Sequence, residues 1–246
     1  MKHTVSIVNY YNTTPFLYGV NHTNFLSQID LQLDIPSVCA HKLKNKQVEI
    51  GLVPVAILPE LDNYHIITDY CIGAVGKVDS VKLFSEKPLE ELTHVLLDYQ
   101  SKTSVTLVQV LNKHFWKKNL QFVNATEGFE KQINGTTGAV IIGDRTFGLT
   151  EHPNQYDLAE EWQKYTGLPF VFACWVSNVP LENNFISEFN KALAYGVNHI
   201  EESIIEKPNQ ALGDKALDYL KNKISYNLDS DKRKALEMFL ELMTLK

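Results

Sequence analysis

Six side chains stand where a strand should end or a helix begin. Their chemistry is hydrogen bonding more than strong acid or base. Asn12 follows a short β-branched run at 4–8 and precedes Thr13, Thr14 and Pro15, a helix start in which proline takes a place that needs no amide donor. Ser101, Thr103 and Ser104 come just after an apolar strand at 95–97 and open the next helix. Ser80 begins an extended run at 80–85, and Asp144 follows Ile142 and Gly143 at the end of another strand. In open α/β sheets ligands settle at that edge, and helix N-termini favour anions because their first amides point outward unpaired. Hydroxyls beside such amides suit a carboxylate or a phosphate. Each residue also has an ordinary structural use: Asn12 in an Asx turn, Thr103 and Ser104 as N-caps, Asp144 as a cap for the helix after Gly143. Spacing alone leaves both uses open.

Other chemistries lack their residues. The run Gly-Ala-Val-Gly-Lys at 73–77 has neither the four-residue spacer nor the Ser/Thr of a phosphate-binding P-loop. No dinucleotide-binding glycine loop, nucleophile elbow or His-Glu-x-x-His helix occurs. The eight histidines are scattered, none at ligand spacing from another, so no metal site is expected.

The elements that must position the six residues alternate. A strand at 28–35 has apolar residues at every second position. Pro36 opens a helix to about 44, a strand follows at 48–53, and a short apolar helix stops at Pro59. Such β-α-β-α-β order favours a parallel sheet. Short strands at 64–67 and 70–75 lead to 80–85, a helical turn at 88–92 and the strand at 95–97. A helix then runs to about 116, with strands at 121–123 and 138–142. A helix at 156–165 closes on Thr166 and Gly167, followed by an apolar strand at 169–176 and a helical remainder. The alternation occurs twice. The chain is therefore expected to form two lobes, 1–80 with 177–246 and 81–176, with a cleft exposing both sets of strand ends.

The bulk composition narrows the partners. With 246 residues and 44% hydrophobic content the chain can bury a large core. A net charge of −6 with no basic stripe argues against a nucleic-acid partner, and no apolar run reaches the roughly 20 residues of a membrane span. The three cysteines, Cys39, Cys71 and Cys174, leave one over from any disulfide. Reduced thiols, and a start that runs straight into a strand, give cytoplasm as the expected compartment.

Several stretches together resemble one family, the chorismate dehydratases of the futalosine route to menaquinone. Residues 10–16, Tyr-Tyr-Asn-Thr-Thr-Pro-Phe, are similar to its N-terminal Tyr-Leu-Asn-Thr-x-Pro signature. Residues 101–105, Ser-Lys-Thr-Ser-Val, are similar to its Ser-Arg-Thr-Ser-Val helix start, and 142–144 match its Ile-Gly-Asp. The strongest likeness is Tyr-Asp-Leu-Ala-Glu-Glu-Trp at 156–162 followed by Thr-Gly-Leu-Pro-Phe-Val-Phe-Ala-Cys-Trp at 166–175. The family's leucine is Tyr11 here, and its arginine is Lys102, which keeps the charge but loses bidentate geometry.

The resemblance implies an α/β, two-lobed fold like a type II periplasmic binding protein, each lobe a mostly parallel sheet flanked by helices, with the ligand between the lobes. It implies conversion of chorismate to 3-[(1-carboxyvinyl)oxy]benzoate and water, with no metal or redox cofactor. On that reading Asn12 orients the substrate, Ser80, Thr103 and Ser104 hold carboxylates, Ser101 binds the substrate beside them, and Asp144 contacts the ring hydroxyl. Two alternatives share the fold: the related dihydroxynaphthoate synthase, expected to use a histidine, and a non-catalytic binder of a small carboxylate.

Overall fold

The computed structural model of the chain describes residues 2–149, 151–209 and 212–245. The first alternation builds the parallel part of one sheet. β1 (His3–Val8) pairs in parallel with both β2 (Ile29–Asp34) and β3 (Ile50–Pro54), through crossovers that carry α1 (Thr14–Asn21) and α2 (Pro36–Lys44). Pro36 stands in the first turn of α2, where its missing N–H leaves no hydrogen bond unmade.

β4 (His65–Ala74) is one strand of ten residues where the sequence suggests two short ones; irregularities in its register against a neighbour absorb the break at 68–69. The chain then leaves for a second sheet made of β5 (Val81–Ser85), β6 (His94–Leu97), β7 (Gln121–Asn124), β8 (Thr137–Ile142) and β9 (Asn154–Asp157), in the order β7-β6-β8-β5-β9. Here β6 is parallel to β7 and β8, while β5 is antiparallel to β8 and β9. α3 (Lys102–Leu111) and α4 (Leu158–Thr166) cover this sheet's connections. The helix expected from 156 starts two residues later, because 154–157 pairs with β5 and the Asp157 carboxylate caps the helix through the amides of Ala159 and Glu160.

β10 (Phe170–Ser177) lies between β3 and β4, antiparallel to both, so the chain is back in the first sheet by Phe170 and not near 177. α5 (Asn183–Asn198), α6 (Ile200–Glu206) and α7 (Ala216–Asp218) follow, then β11 (Ser225–Asn227) on the edge beside β4, and finally α8 (Ser230–Thr244). The first sheet thus reads β11-β4-β10-β3-β1-β2. Its centre carries Val5, Ile7, Leu52, Val53 and Trp175, all fully buried. The three cysteines are free and buried. Among the described residues no helix is long and apolar enough to cross a membrane.

The two sheets meet at their strand ends. The crossings are the stretch between β4 and β5 and the stretch between α4 and β10. The first contains Gly76 and Asp79, both with left-handed backbone (φ 75° and 66°), which turns the chain sharply from one sheet to the other.

Candidate active site

One wall of the cleft is the turn after β1. Residues Tyr11–Thr13 form a single 3-10 turn before α1. The Thr13 hydroxyl is shared between the carbonyls of Val8 (2.6 Å) and Tyr10 (2.8 Å), so it fastens the turn and does not cap the helix. That leaves Asn12 at the apex, lining the cleft, with its side chain hydrogen-bonded to the Tyr219 phenol while its carbonyl accepts the Tyr226 hydroxyl at 3.0 Å.

The opposite wall is the loop from β6 to α3. Asp98, fully buried, gathers it: one carboxylate oxygen accepts the Gln100 amide at 2.9 Å, and the other accepts the Ile142 amide at 3.1 Å and pairs with Arg145. Arg145 lies over the Tyr99 ring at 5.5 Å and also bonds Glu130 at 2.8 Å. Held this way, Ser101 caps α3, accepting the Ser104 amide at 3.2 Å and donating to the Ser104 hydroxyl at 2.9 Å. Ser101 and Ser104 both line the cleft at the positive end of a ten-residue helix.

Thr103 does not line it. Its hydroxyl faces the other way, donating to the Phe172 carbonyl at 3.0 Å and accepting the Ala56 amide at 3.3 Å, and the residue is buried. It locks α3 onto the first sheet, which corrects its expected place among the carboxylate-holding groups. Lys102 likewise turns outward, to Glu60, which Lys44 also contacts and whose carboxyl these two cations hold below its usual range.

Across the cleft mouth the lobes touch. The Tyr10 hydroxyl donates to Gln100, and the Tyr11 amide donates to Asp144 at 3.4 Å. Gly143, with φ 67°, lets the Tyr10 ring lie against its backbone; a Cβ there would stand 3.3 Å from the ring. Asp144 is therefore beside the cleft and not in its wall. Burial raises its carboxyl above the ordinary carboxylate value, against the Tyr11 amide and the nearby Lys207, which lower it. Burial also raises the Tyr10 phenol, with Asp98 adding to the effect, so it stays neutral.

The resulting cavity encloses about 550 Å³ including its open mouth. Its walls are apolar at Leu52, Ile72, Ile142 and Phe172, and polar at Tyr10, Asn12, Ser80, Ser101 and Ser104. Among the described residues that line it there is no carboxylate, imidazole or amine. Apolar walls carrying hydroxyl and amide groups suit a ring bearing anionic substituents. Among the described residues no group of three His, Cys, Asp or Glu side chains is placed to hold a metal ion.

Two residues at the cleft are not visible in the sequence pattern. Tyr219 donates from behind to the Ser80 hydroxyl at 2.9 Å, and Tyr226 holds the Asn12 carbonyl. Both come from a segment whose helical spacing marks it only as a tail.

Comparison with known proteins agrees with this arrangement. Residues 3–244 match the model of a family described as menaquinone biosynthesis. The chain is 28% identical over 223 residues to the chorismate dehydratase of Thermus thermophilus, an alignment spanning 80% of this chain and 81% of that one. A protein from Archaeoglobus fulgidus superposes with a TM-score of 0.71 at 13% identity, covering 98% of this chain and 96% of its own. A Candida albicans protein described as having the generic periplasmic binding protein fold superposes with a TM-score of 0.66 at 11% identity, covering 99% and 90%. These two structures establish the fold alone: a periplasmic-binding-protein-like pair of mixed sheets with flanking helices. With the family model matched over nearly its whole length, the chain belongs to the menaquinone biosynthesis family.

Proposed function

We propose that the protein is a chorismate dehydratase, converting chorismate to 3-[(1-carboxyvinyl)oxy]benzoate and water. The observation that carries this reading is a cleft whose described lining residues include hydroxyl and amide groups but no side-chain base. The reaction removes the hydrogen from the ring carbon that bears the enolpyruvyl ether and the hydroxyl from its neighbour. The C–H electron pair becomes the new ring double bond, and proton and hydroxide leave as water. Aromatisation supplies the driving force, so the protein chiefly has to hold the reacting groups in place. The enolpyruvyl carboxylate of the substrate serves as proton acceptor. Asn12, with two donors and one acceptor on its amide, fixes that side chain against the ring. Ser80 and the Ser101–Ser104 pair hold carboxylates. Thr103 acts from behind by fixing α3, and Asp144 by holding the turn that carries Asn12.

A dihydroxynaphthoate synthase relying on a histidine is disfavoured, since no histidine is among the described residues lining the cleft. Incubation with chorismate followed by chromatography tests the proposal. A peak of the benzoate product is expected; chorismate recovered unchanged would leave a binding protein.

A further inference from the structure

The segment behind the cleft departs from regular helix where it meets the site. α7 runs directly into a π turn, Tyr219–Lys223, an irregularity that recurs at functional sites. The turn directs Tyr219 inward, 3% exposed and edge-on to Phe147 at 5.1 Å. Its hydroxyl donates to Ser80, which is itself buried yet lines the cleft. A serine hydroxyl has one hydrogen and two lone pairs. With a lone pair occupied by the phenol, the serine's own hydrogen has to point elsewhere, and the open side is the cleft.

We propose that Tyr219 is a positioning residue that fixes the Ser80 hydroxyl as a hydrogen-bond donor toward an anionic group of the bound ligand. The identity of that ligand as chorismate rests on the function proposed above; the polarity of the hydroxyl does not. Two further facts fit. The Asn12 side chain also hydrogen-bonds the phenol oxygen, so one phenol steadies both Ser80 and Asn12 at the cleft. Burial raises the phenol far above its ordinary value, and it keeps the hydrogen it donates. Without Tyr219, Ser80 is free to rotate and to present a lone pair to an incoming carboxylate, which repels it.

The test is a double-mutant cycle of Tyr219→Phe and Ser80→Ala, with melting temperatures recorded alongside. Phenylalanine keeps the ring packing, so Tyr219→Phe should melt close to the wild type. Its KM for chorismate should rise about tenfold; any slackening of Asn12, which the phenol also contacts, falls on kcat and is read separately. Ser80→Ala should raise KM similarly, and the KM of the double variant should be no higher than that of Ser80→Ala alone. An unchanged KM in Tyr219→Phe, a full additional rise in KM on top of Ser80→Ala, or an effect explained by lowered melting would each overturn the role. Should the wild type make no product, the dehydratase reading falls, and the same four proteins are titrated with chorismate by calorimetry. Non-additive loss of affinity then upholds the positioning role; equal affinity in wild type and Tyr219→Phe, or no binding by the wild type, refutes it.

Discussion

Asp144 accepts the backbone amide of Tyr11 at 3.4 Å, tying the end of β8 in one lobe to the first turn of the other across 133 positions of sequence. The bond holds the turn one residue before Asn12. Asp144→Ala removes the acceptor and should raise the KM for chorismate about fivefold, the equivalent of roughly 1 kcal/mol for one hydrogen bond. Asparagine keeps an acceptor, so its KM should rise less. The two variants also differ in pH dependence. Burial raises the Asp144 carboxyl in the folded protein, so ionising it costs more there than in the unfolded chain. Its favourable contribution is complete below the ordinary carboxylate value and is lost as pH rises through the raised one. The melting temperature of Asp144→Asn relative to wild type should therefore climb with pH across the carboxylate range; a pH-independent difference would contradict the burial argument.

Thr103 and Ser104 are adjacent at one helix start and should fail in opposite ways. Thr103→Ala leaves the Ala56 amide and the Phe172 carbonyl without their buried partner. A loss of about 2 kcal/mol is expected, or about 4–8 °C in melting temperature for a chain of this size, with little change in KM for the folded enzyme. Ser104→Ala should raise KM by about tenfold and move the melting temperature far less. Calorimetric melting together with steady-state kinetics on both variants decides between a clamp and a lock at each position.

What the sequence made legible, and what it hid, divides along the distance over which each feature is determined. The parallel β1-β2-β3 unit, the helix opening at Pro36 and the close of α4 at Gly167, whose φ is 74°, follow from local spacing and turn residues. So does the gathering of Asn12, Ser80, Ser101 and Ser104 along one cleft, since each stands in a loop or first helical turn beside a strand. β9 was hidden because Tyr156 and Leu158 fit a helical spacing as well; its pairing with β5 settles the matter from 69 to 75 residues away. Thr103 and Ser104 look alike in sequence, and only the approach of Ala56, just after β3, and of Phe172 in β10 decides which of them turns from the cleft. Tyr219 and Tyr226 were hidden for a related reason: a π turn and a three-residue edge strand leave almost no periodic signal.

The turn that carries Asn12 depends on a close helix crossing. A Cβ on Gly196 in α5 would stand 1.8 Å from the Pro15 carbonyl oxygen and 2.8 Å from the Gly19 amide of α1. Both are backbone atoms, so relief requires moving a helix. Gly196→Ala should destabilise by about 3 kcal/mol or more, lowering the melting temperature by about 6–12 °C. Because α1 begins two residues after Asn12, the folded fraction should also turn over more slowly. A variant that melts like wild type would mean that the helices separate easily and that α1 does not fix the turn.

Asn12 itself gives the most direct test of the chemistry. Its carbonyl is held by Tyr226 and its neighbours by Thr13 and Asp144, so the side chain is presented to the cleft from a fastened turn. An amide is a poor base, and a group that aligns the substrate acts on the barrier more than on ground-state binding. Asn12→Ala should thus keep much of its affinity for chorismate while kcat falls on the order of 100-fold, the effect of a misplacement of about 1 Å. Asn12→Asp separates alignment from proton transfer. It adds a real base but also a negative charge beside the substrate's carboxylates, in a cavity with no cation among the described residues that line it. If the substrate supplies the base, the aspartate variant should be as slow as the alanine one and should bind chorismate more weakly. Single-turnover measurements on both would show this. An aspartate variant as fast as wild type would move the proton acceptor onto position 12, and an alanine variant with unchanged turnover would reduce Asn12 to a residue of the turn.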